Sequence, residues 1–168
     1  GHPCDWNGLR ALADKYDIQL VNDNCHALGA SYKDQKEYAV SYADVVVQSY
    51  HPVKHITTGE GGAILTNHRD VYEKVALLRA HGIEKDPRKI KNYEGPWYYQ
   101  MYDIGFNYRI TDIQCALGRS QLQRLNDFVG KRRQIAAKYD GVFKSSEVAN
   151  PPLAAKDIIH SYHLYPLQ

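Results

Sequence analysis

The sequence predicts an α/β fold in which short buried strands alternate with amphipathic helices. Three apolar stretches predict strands, at residues 18–21, 43–47 and 62–66. The middle stretch is apolar enough to be buried on both faces, as strands of parallel sheets are. With 168 residues, 43% of them hydrophobic, the chain is long enough to bury a core.

Helical periodicity fills the segments between and after these strands. Asp5 is placed to cap the first helix, Gly82 to end the second, and Thr111 with Gln114 has capping-box spacing at the start of the third. The predicted helices cover residues 6–16, 70–81, a stretch from 111, and 127–143.

The remaining segments are less regular. Residues 30–42 are polar, residues 83–105 predict a long loop rich in aromatic side chains, and Pro151–Pro152 predicts a break. Residues 161–168 predict a further strand.

Composition excludes several classes of protein. The net charge is only +2, and the short basic run at residues 131–133 is interpreted as the solvated face of a helix, so nucleic-acid binding has little support. No apolar run approaches the roughly 18 residues that span a bilayer. The three cysteines are scattered and lack metal-ligand spacing, so we expect no metal site and a cytoplasmic protein with reduced thiols.

Reactive side chains follow the carboxyl ends of the predicted strands, where open α/β sheets bind their ligands. Asp23 comes just after the first strand, Ser49 just after the second, and Lys54 lies in the turn that follows. Lysine is nucleophilic only as the neutral amine, and a partly apolar cleft with His51 and His55 nearby favours that form. Lys54 could then form a Schiff base with a cofactor aldehyde and later carry a proton; the alternative is an exposed surface lysine.

Asp23 and His26 could serve the same cofactor. An ionised carboxylate beside an apolar strand needs a partner, and a protonated pyridine nitrogen would be one. The alternatives are that Asp23 caps the next turn, that His26 is a structural histidine, and that Ser49 is an ordinary turn serine instead of a phosphate ligand.

A plain nucleotide-binding domain is disfavoured by the glycine pattern. Residues 59–62 permit tight turns, but no helix start follows them, and the chain has no Gly-x-Gly-x-x-Gly or Walker-type loop.

Together these motifs resemble the sugar-nucleotide aminotransferases of the DegT group, pyridoxal-phosphate (PLP) enzymes with the aspartate-aminotransferase-like fold. The matching segments are residues 21–30, 48–62, 105–118 with 121–122, and 162–165. The resemblance implies that residues 1–110 are a PLP-binding large-domain fragment with three strands plus helices, 111–150 connecting helices, and 151–168 the start of a truncated small domain. It also implies that the N-terminal part of the large domain and the rest of the C-terminal small domain are missing.

The resemblance also implies roles for individual residues. Lys54 would form the internal aldimine, Asp23 would pair with the pyridine nitrogen, His26 would lie beside the ring, and Ser49 would bind the cofactor phosphate. Asn107 matches an asparagine that reaches the phosphate of the neighbouring subunit's cofactor, which implies a homodimer with shared active sites.

Substrate expectations follow from the same resemblance. Arg109 and His163 match positions near the substrate, and Lys54 argues against the dehydratase branch, in which a histidine replaces this lysine. The segment 95–99 and the amino-acid sequence of the lysine turn look most like the corresponding segments of enzymes that transfer an amino group from glutamate to a nucleotide-linked 4-keto-6-deoxy sugar. Those enzymes act on the way to pseudaminic acid. The alternative is a catalytically inactive truncated fragment with a structural or association role.

Overall fold

The computed structural model describes residues 1–151 and 154–168 and separates them into two compact units. The first unit comprises residues 1–65 and 112–168, and the second comprises residues 66–111. The predicted break at residues 151–152 includes Pro152, which lies outside the described residues. Division into compact units does not test the predicted domain boundaries at residues 110 and 150, which stay predictions.

Helices and strands alternate along most of the chain. In order, they are α1 (Trp6–Tyr16), β1 (Val21–Asp23), β2 (Ser31–Tyr32), α2 (Tyr38–Tyr42), β3 (Val45–Ser49), β4 (Gly62–Thr66), α3 (Arg69–Leu78), β5 (Ile83–Glu84), β6 (Gln100–Met101), α4 (Asp112–Gln123), α5 (Leu125–Phe143) and β7 (Ile158–Ile159).

The main sheet has the strand order β1-β3-β4. β1 and β3 run parallel, with Val21 opposite Val45 and Asp23 opposite Val47, so their carboxyl ends lie at the same edge. The first strand starts later than predicted. Just before it, Leu20 donates its N–H to the Asp44 carboxylate at 2.6 Å, while its carbonyl accepts from the Val45 N–H at 3.2 Å.

The helix predictions are close to the structure. α1 has the predicted bounds, and the Asp5 side chain accepts a hydrogen bond from the Gly8 N–H. Gly82 follows α3 with φ +69, and a Cβ there would lie 1.9 Å from the carbonyl oxygen of Asp103, so the chain needs glycine at this point.

Three segments differ from the predictions. The polar stretch 30–42 holds β2 and α2, and the predicted loop 83–105 holds the antiparallel pair β5–β6. The strand predicted at residues 161–168 is wrong, because the strand is β7, two residues long and paired with β2. Tyr162 has φ +50, a left-handed conformation that a β-strand does not accommodate.

The core lies in the first unit, between the main sheet and α1 and α2. Tyr38 and Val46 are at most 2% exposed, and Tyr38 packs with Trp6 and Tyr32 at ring centroid distances of 6.2 and 6.4 Å. The hydroxyl of Tyr38 donates to the Asn24 Oδ1 at 2.8 Å, so the core reaches the turn just after β1. Among the described residues, no helix combines the length and the apolar character needed to cross a membrane.

Candidate active site

A closed loop carries Lys54 away from the end of β3. Its base is held where the Tyr50 N–H donates to the Gly61 carbonyl at 2.8 Å and the Thr58 N–H donates to the Tyr50 carbonyl at 3.0 Å. Nearer the tip, the Lys54 N–H donates to the His51 carbonyl at 3.0 Å. Lys54 is therefore the half-buried residue of an ordered turn.

Asp23 is fixed at the end of the neighbouring strand. The next residue, Asn24, is buried and donates its N–H to the Val47 carbonyl at 3.0 Å, which continues the contact with β3. The Cys25 N–H donates to the Asp23 Oδ1 at 3.1 Å. Hydrogen bonds from the Cys25 thiol and N–H lower the pKa of the exposed Asp23 carboxyl, with smaller effects from His26 and Lys54, so Asp23 stays ionised at neutral pH.

The charge of Lys54 acts on this carboxylate. Its positive charge lowers the pKa of Asp23, and it also contributes, after burial, to the lowered pKa of His26. Asp23 ends β1 and the Lys54 turn follows β3, and these two parallel strands end at the same edge of the sheet.

Three histidines group beside Lys54. His163 lies against His26 with ring centroids 4.0 Å apart, and against His55 at 5.8 Å. Burial, then the neighbouring His26 and Lys54, lower the pKa of His163 to about 4, so its ring is neutral at pH 7. The Nδ1 of His163 is buried and has no hydrogen-bond partner within the described part of the chain.

The remaining predicted residues fall at other places. Ser49 ends β3, half-buried, and its Oγ accepts a hydrogen bond from the His51 N–H at 3.4 Å. Asn107 and Arg109 are exposed residues of the second unit, where Asn107 forms a β-bridge with Ala80. The structure therefore brings together Asp23, His26, Lys54 and His163, and the roles of all these residues stay predictions.

The sequence analysis missed Arg132. The guanidinium donates to the carbonyls of Val53 and Lys54 at 3.2 and 3.4 Å, and to those of Tyr162 and His163 at 3.1 and 3.3 Å. The interpretation of this basic run as a solvated helix face is wrong for Arg132 and also for Arg133, which donates to the His160 carbonyl at 2.9 Å.

His55 was also missed as a structural residue. It is 3% exposed, and its Nε2 donates to the Ser161 carbonyl at 3.1 Å. Arg132 and His55 thus tie the lysine turn to the segment that carries His163.

This set of groups fits PLP. The chain supplies an amine, an ionised carboxylate and a neutral imidazole around one edge of the sheet, and a serine hydroxyl ends β3. These are the groups needed to hold an aldehyde cofactor with a basic ring nitrogen and a phosphate.

Comparison with known proteins gives the same class. The DegT/DnrJ/EryC1/StrS aminotransferase family profile matches residues 1–168. A UDP-4-amino-4,6-dideoxy-N-acetyl-β-L-altrosamine transaminase of Campylobacter jejuni is 39% identical over 168 residues, covering 99% of this chain and 42% of the relative.

Solved structures share the fold. The Helicobacter pylori aminotransferase PseC, involved in pseudoaminic acid biosynthesis, superimposes with a TM-score of 0.87 at 34% identity, covering 98% of this chain and 42% of PseC. Spr1654 of Streptococcus pneumoniae, in its PLP form, gives a TM-score of 0.81 at 28% identity, with coverage of 97% and 44%. The chain spans less than half the length of these proteins, and it belongs to the DegT/DnrJ/EryC1/StrS aminotransferase family.

Proposed function

We propose that this chain carries the Lys54 part of the active site of a PLP-dependent sugar aminotransferase. One observation supports the proposal above all others. The half-buried Lys54 lies in an ordered turn that follows β3, and Asp23 ends the parallel neighbouring strand β1 at the same edge of the sheet. Family membership, shown by the match over the whole chain, agrees with this chemistry.

Each residue of the candidate site would have its own role in binding the cofactor or in moving a proton. When bound, PLP supplies an aldehyde that condenses with amines and a ring that withdraws electrons from the carbon bearing the amine. The ionised carboxylate of Asp23 can hold a proton at the ring nitrogen, and the amine of Lys54 can accept and return a proton at the reacting carbon. His26 would lie beside the ring, and the Ser49 hydroxyl would donate to the phosphate. The neutral imidazole of His163 would hydrogen-bond the substrate.

The proposed substrate is a nucleotide-linked 4-keto-6-deoxy sugar, with glutamate as the amino donor. Support comes from the relative at 39% identity, which is named as a transaminase of a UDP-linked 4-amino-4,6-dideoxy sugar. An assay for 2-oxoglutarate released from glutamate, run with and without the UDP-linked 4-keto sugar, tests this assignment. Release of more than one equivalent of 2-oxoglutarate per bound cofactor in the absence of the sugar would contradict it.

The cofactor assignment is tested by trapping. We expect that protein incubated with PLP and then reduced with borohydride carries the pyridoxyl group on the peptide containing Lys54. Lys54→Ala should abolish this adduct, whereas Lys33→Ala, which removes an exposed lysine of the same unit, should retain it. A folded protein with no adduct at Lys54 would refute the proposal and favour the alternative role in association alone.

We further propose a homodimer in which Asn107 reaches the phosphate in the partner's site and Arg109 lies near the substrate. The apolar side chains of α4 agree with an association surface, since Ile113 is 84% exposed and Leu122 is 53% exposed in the single chain. Sedimentation velocity over a range of concentrations tests the proposal, and a monomer throughout the range would contradict it.

A further inference from the structure

Two arginines lie on the buried face of α5. Val129 and Ala136 are each 2% exposed, and Arg132 and Arg133 fall between them at the i+3 and i+4 positions of the same face. A guanidinium on such a face must find acceptors, and its five N–H groups suit several carbonyl oxygens at once.

The two side chains bind different segments. Arg132 bonds the lysine turn, through the carbonyls of Val53 and Lys54, and it bonds the carbonyls of Tyr162 and His163 with its other nitrogen. Arg133 bonds the carbonyls of His160 and Gly29 and makes no hydrogen bond to the lysine turn among those described. Arg132 therefore connects the turn that carries Lys54 to the backbone at His163. The hydrogen bonds of Arg133 reach neither of these two residues.

The bend that Arg132 holds has an unfavourable backbone conformation at Tyr162. Its φ of +50 is unfavourable for a residue with a side chain, and it turns the chain so that His163 lies against His26. The ring of Tyr162 stacks on His160 at 4.0 Å, which fixes one side of the bend. The bonds from Arg132 to the carbonyls of Tyr162 and His163 hold the other side.

We propose that Arg132 is a positioning residue, whose guanidinium joins the turn that carries Lys54 to the Tyr162–His163 bend and so fixes these two segments relative to each other. The role of the Lys54 amine rests on the proposed function, but the positioning itself does not. Lysine at position 132 would supply one compact charge in place of the planar fork that spans both segments.

The test begins without cofactor. Protein is treated with a small amine-acylating reagent, and the rate of modification of Lys54 is read by peptide mass spectrometry with Lys33 as the internal reference. Because Lys54 is half-buried in the ordered turn, loosening of the turn exposes its amine to the reagent, and we expect Arg132→Gln to speed Lys54 acylation at least about threefold. Arg133→Gln is the matched control and should leave the Lys54 rate unchanged.

A second readout uses the cofactor. In Arg132→Gln, the pH at which the visible absorbance of the PLP-bound protein changes should move, while in Arg133→Gln it should stay as in the parent. Arg132→Lys should fall between the parent and Arg132→Gln in both measurements, and it serves as the informative variant if Arg132→Gln does not fold.

The outcomes separate the two proposals. Equal Lys54 acylation rates in the Arg132 and Arg133 variants, or a slower rate in Arg132→Gln, would overturn the positioning role. Failure of the parent protein to form the borohydride-trapped adduct would overturn the proposed function and leave the acylation result standing.

Discussion

Protonation of His55 should destabilise the fold as the pH falls. His55 is 3% exposed and donates from Nε2 to the Ser161 carbonyl, so the neutral ring carries its one proton on that nitrogen. A second proton would go to Nδ1, which is buried and has no partner among the described residues. Burial, and then the charge of Arg132, lower the pKa of His55 from 6.5 to about 3.

The size of the effect follows from linkage. Above pH 6.5 the ring is neutral in both the folded and unfolded states, and the free energy of unfolding does not depend on it. Between pH 6.5 and about 3 the unfolded chain binds a proton that the folded chain does not, so the free energy of unfolding falls by about 1.4 kcal/mol per pH unit. At pH 5 the loss from His55 is about 2 kcal/mol.

Urea unfolding at pH 7 and pH 5 measures this loss. The parent should lose about 2 kcal/mol more than His55→Gln between the two pH values, because glutamine does not titrate. If the parent and His55→Gln lose the same free energy, His55 is not a buried neutral ring and the reasoning fails.

Two further substitutions test the support of the site. Tyr38→Phe should lower the free energy of unfolding by about 1–3 kcal/mol, because it leaves the Asn24 Oδ1 without the Tyr38 hydroxyl donor. Tyr16→Phe, at an exposed position, is the control. Equal urea midpoints for the two variants would contradict the prediction. Asp23→Asn should retain the Lys54 adduct but weaken PLP binding about tenfold or more, as measured by equilibrium dialysis. The reason is that a neutral amide cannot hold the ring nitrogen protonated. Unchanged binding would mean that Asp23 does not face the ring.

Local sequence signals predicted the main elements well where packing and propensity agree. α1 follows from one capping aspartate and a regular apolar face, and β3 follows from a run of valines that fits a doubly covered strand. The segment 30–42 was misinterpreted because its tyrosines carry polar hydroxyls, although Tyr32 and Tyr38 are both buried. The hydroxyl groups of these two tyrosines donate hydrogen bonds to Asp5 and Asn24, which are far away in sequence. No local sequence pattern therefore predicts that the tyrosines are buried.

The site was predictable where topology alone decides it. Parallel strands end at one edge of a sheet, so Asp23 and the turn after Ser49 could be placed together from the strand pattern. The contact of His163 with His26 could not, because it depends on the bend at Tyr162, and left-handed backbone at a tyrosine has no sequence signature.

The partial burial of Arg132, unlike the bend at Tyr162, was predictable from the sequence. The helical spacing indicated it, but the charge of the run at residues 131–133 favoured a solvated face instead. The positions 129, 132, 133 and 136 are spaced as one helix face, and the valine and alanine at its ends are both buried. Arginines inside such a face are drawn partly out of water, and both are half-buried here, so their guanidinium groups gain from nearby carbonyl acceptors. Arg132 finds these acceptors at the turn that carries the lysine on which the proposed chemistry depends.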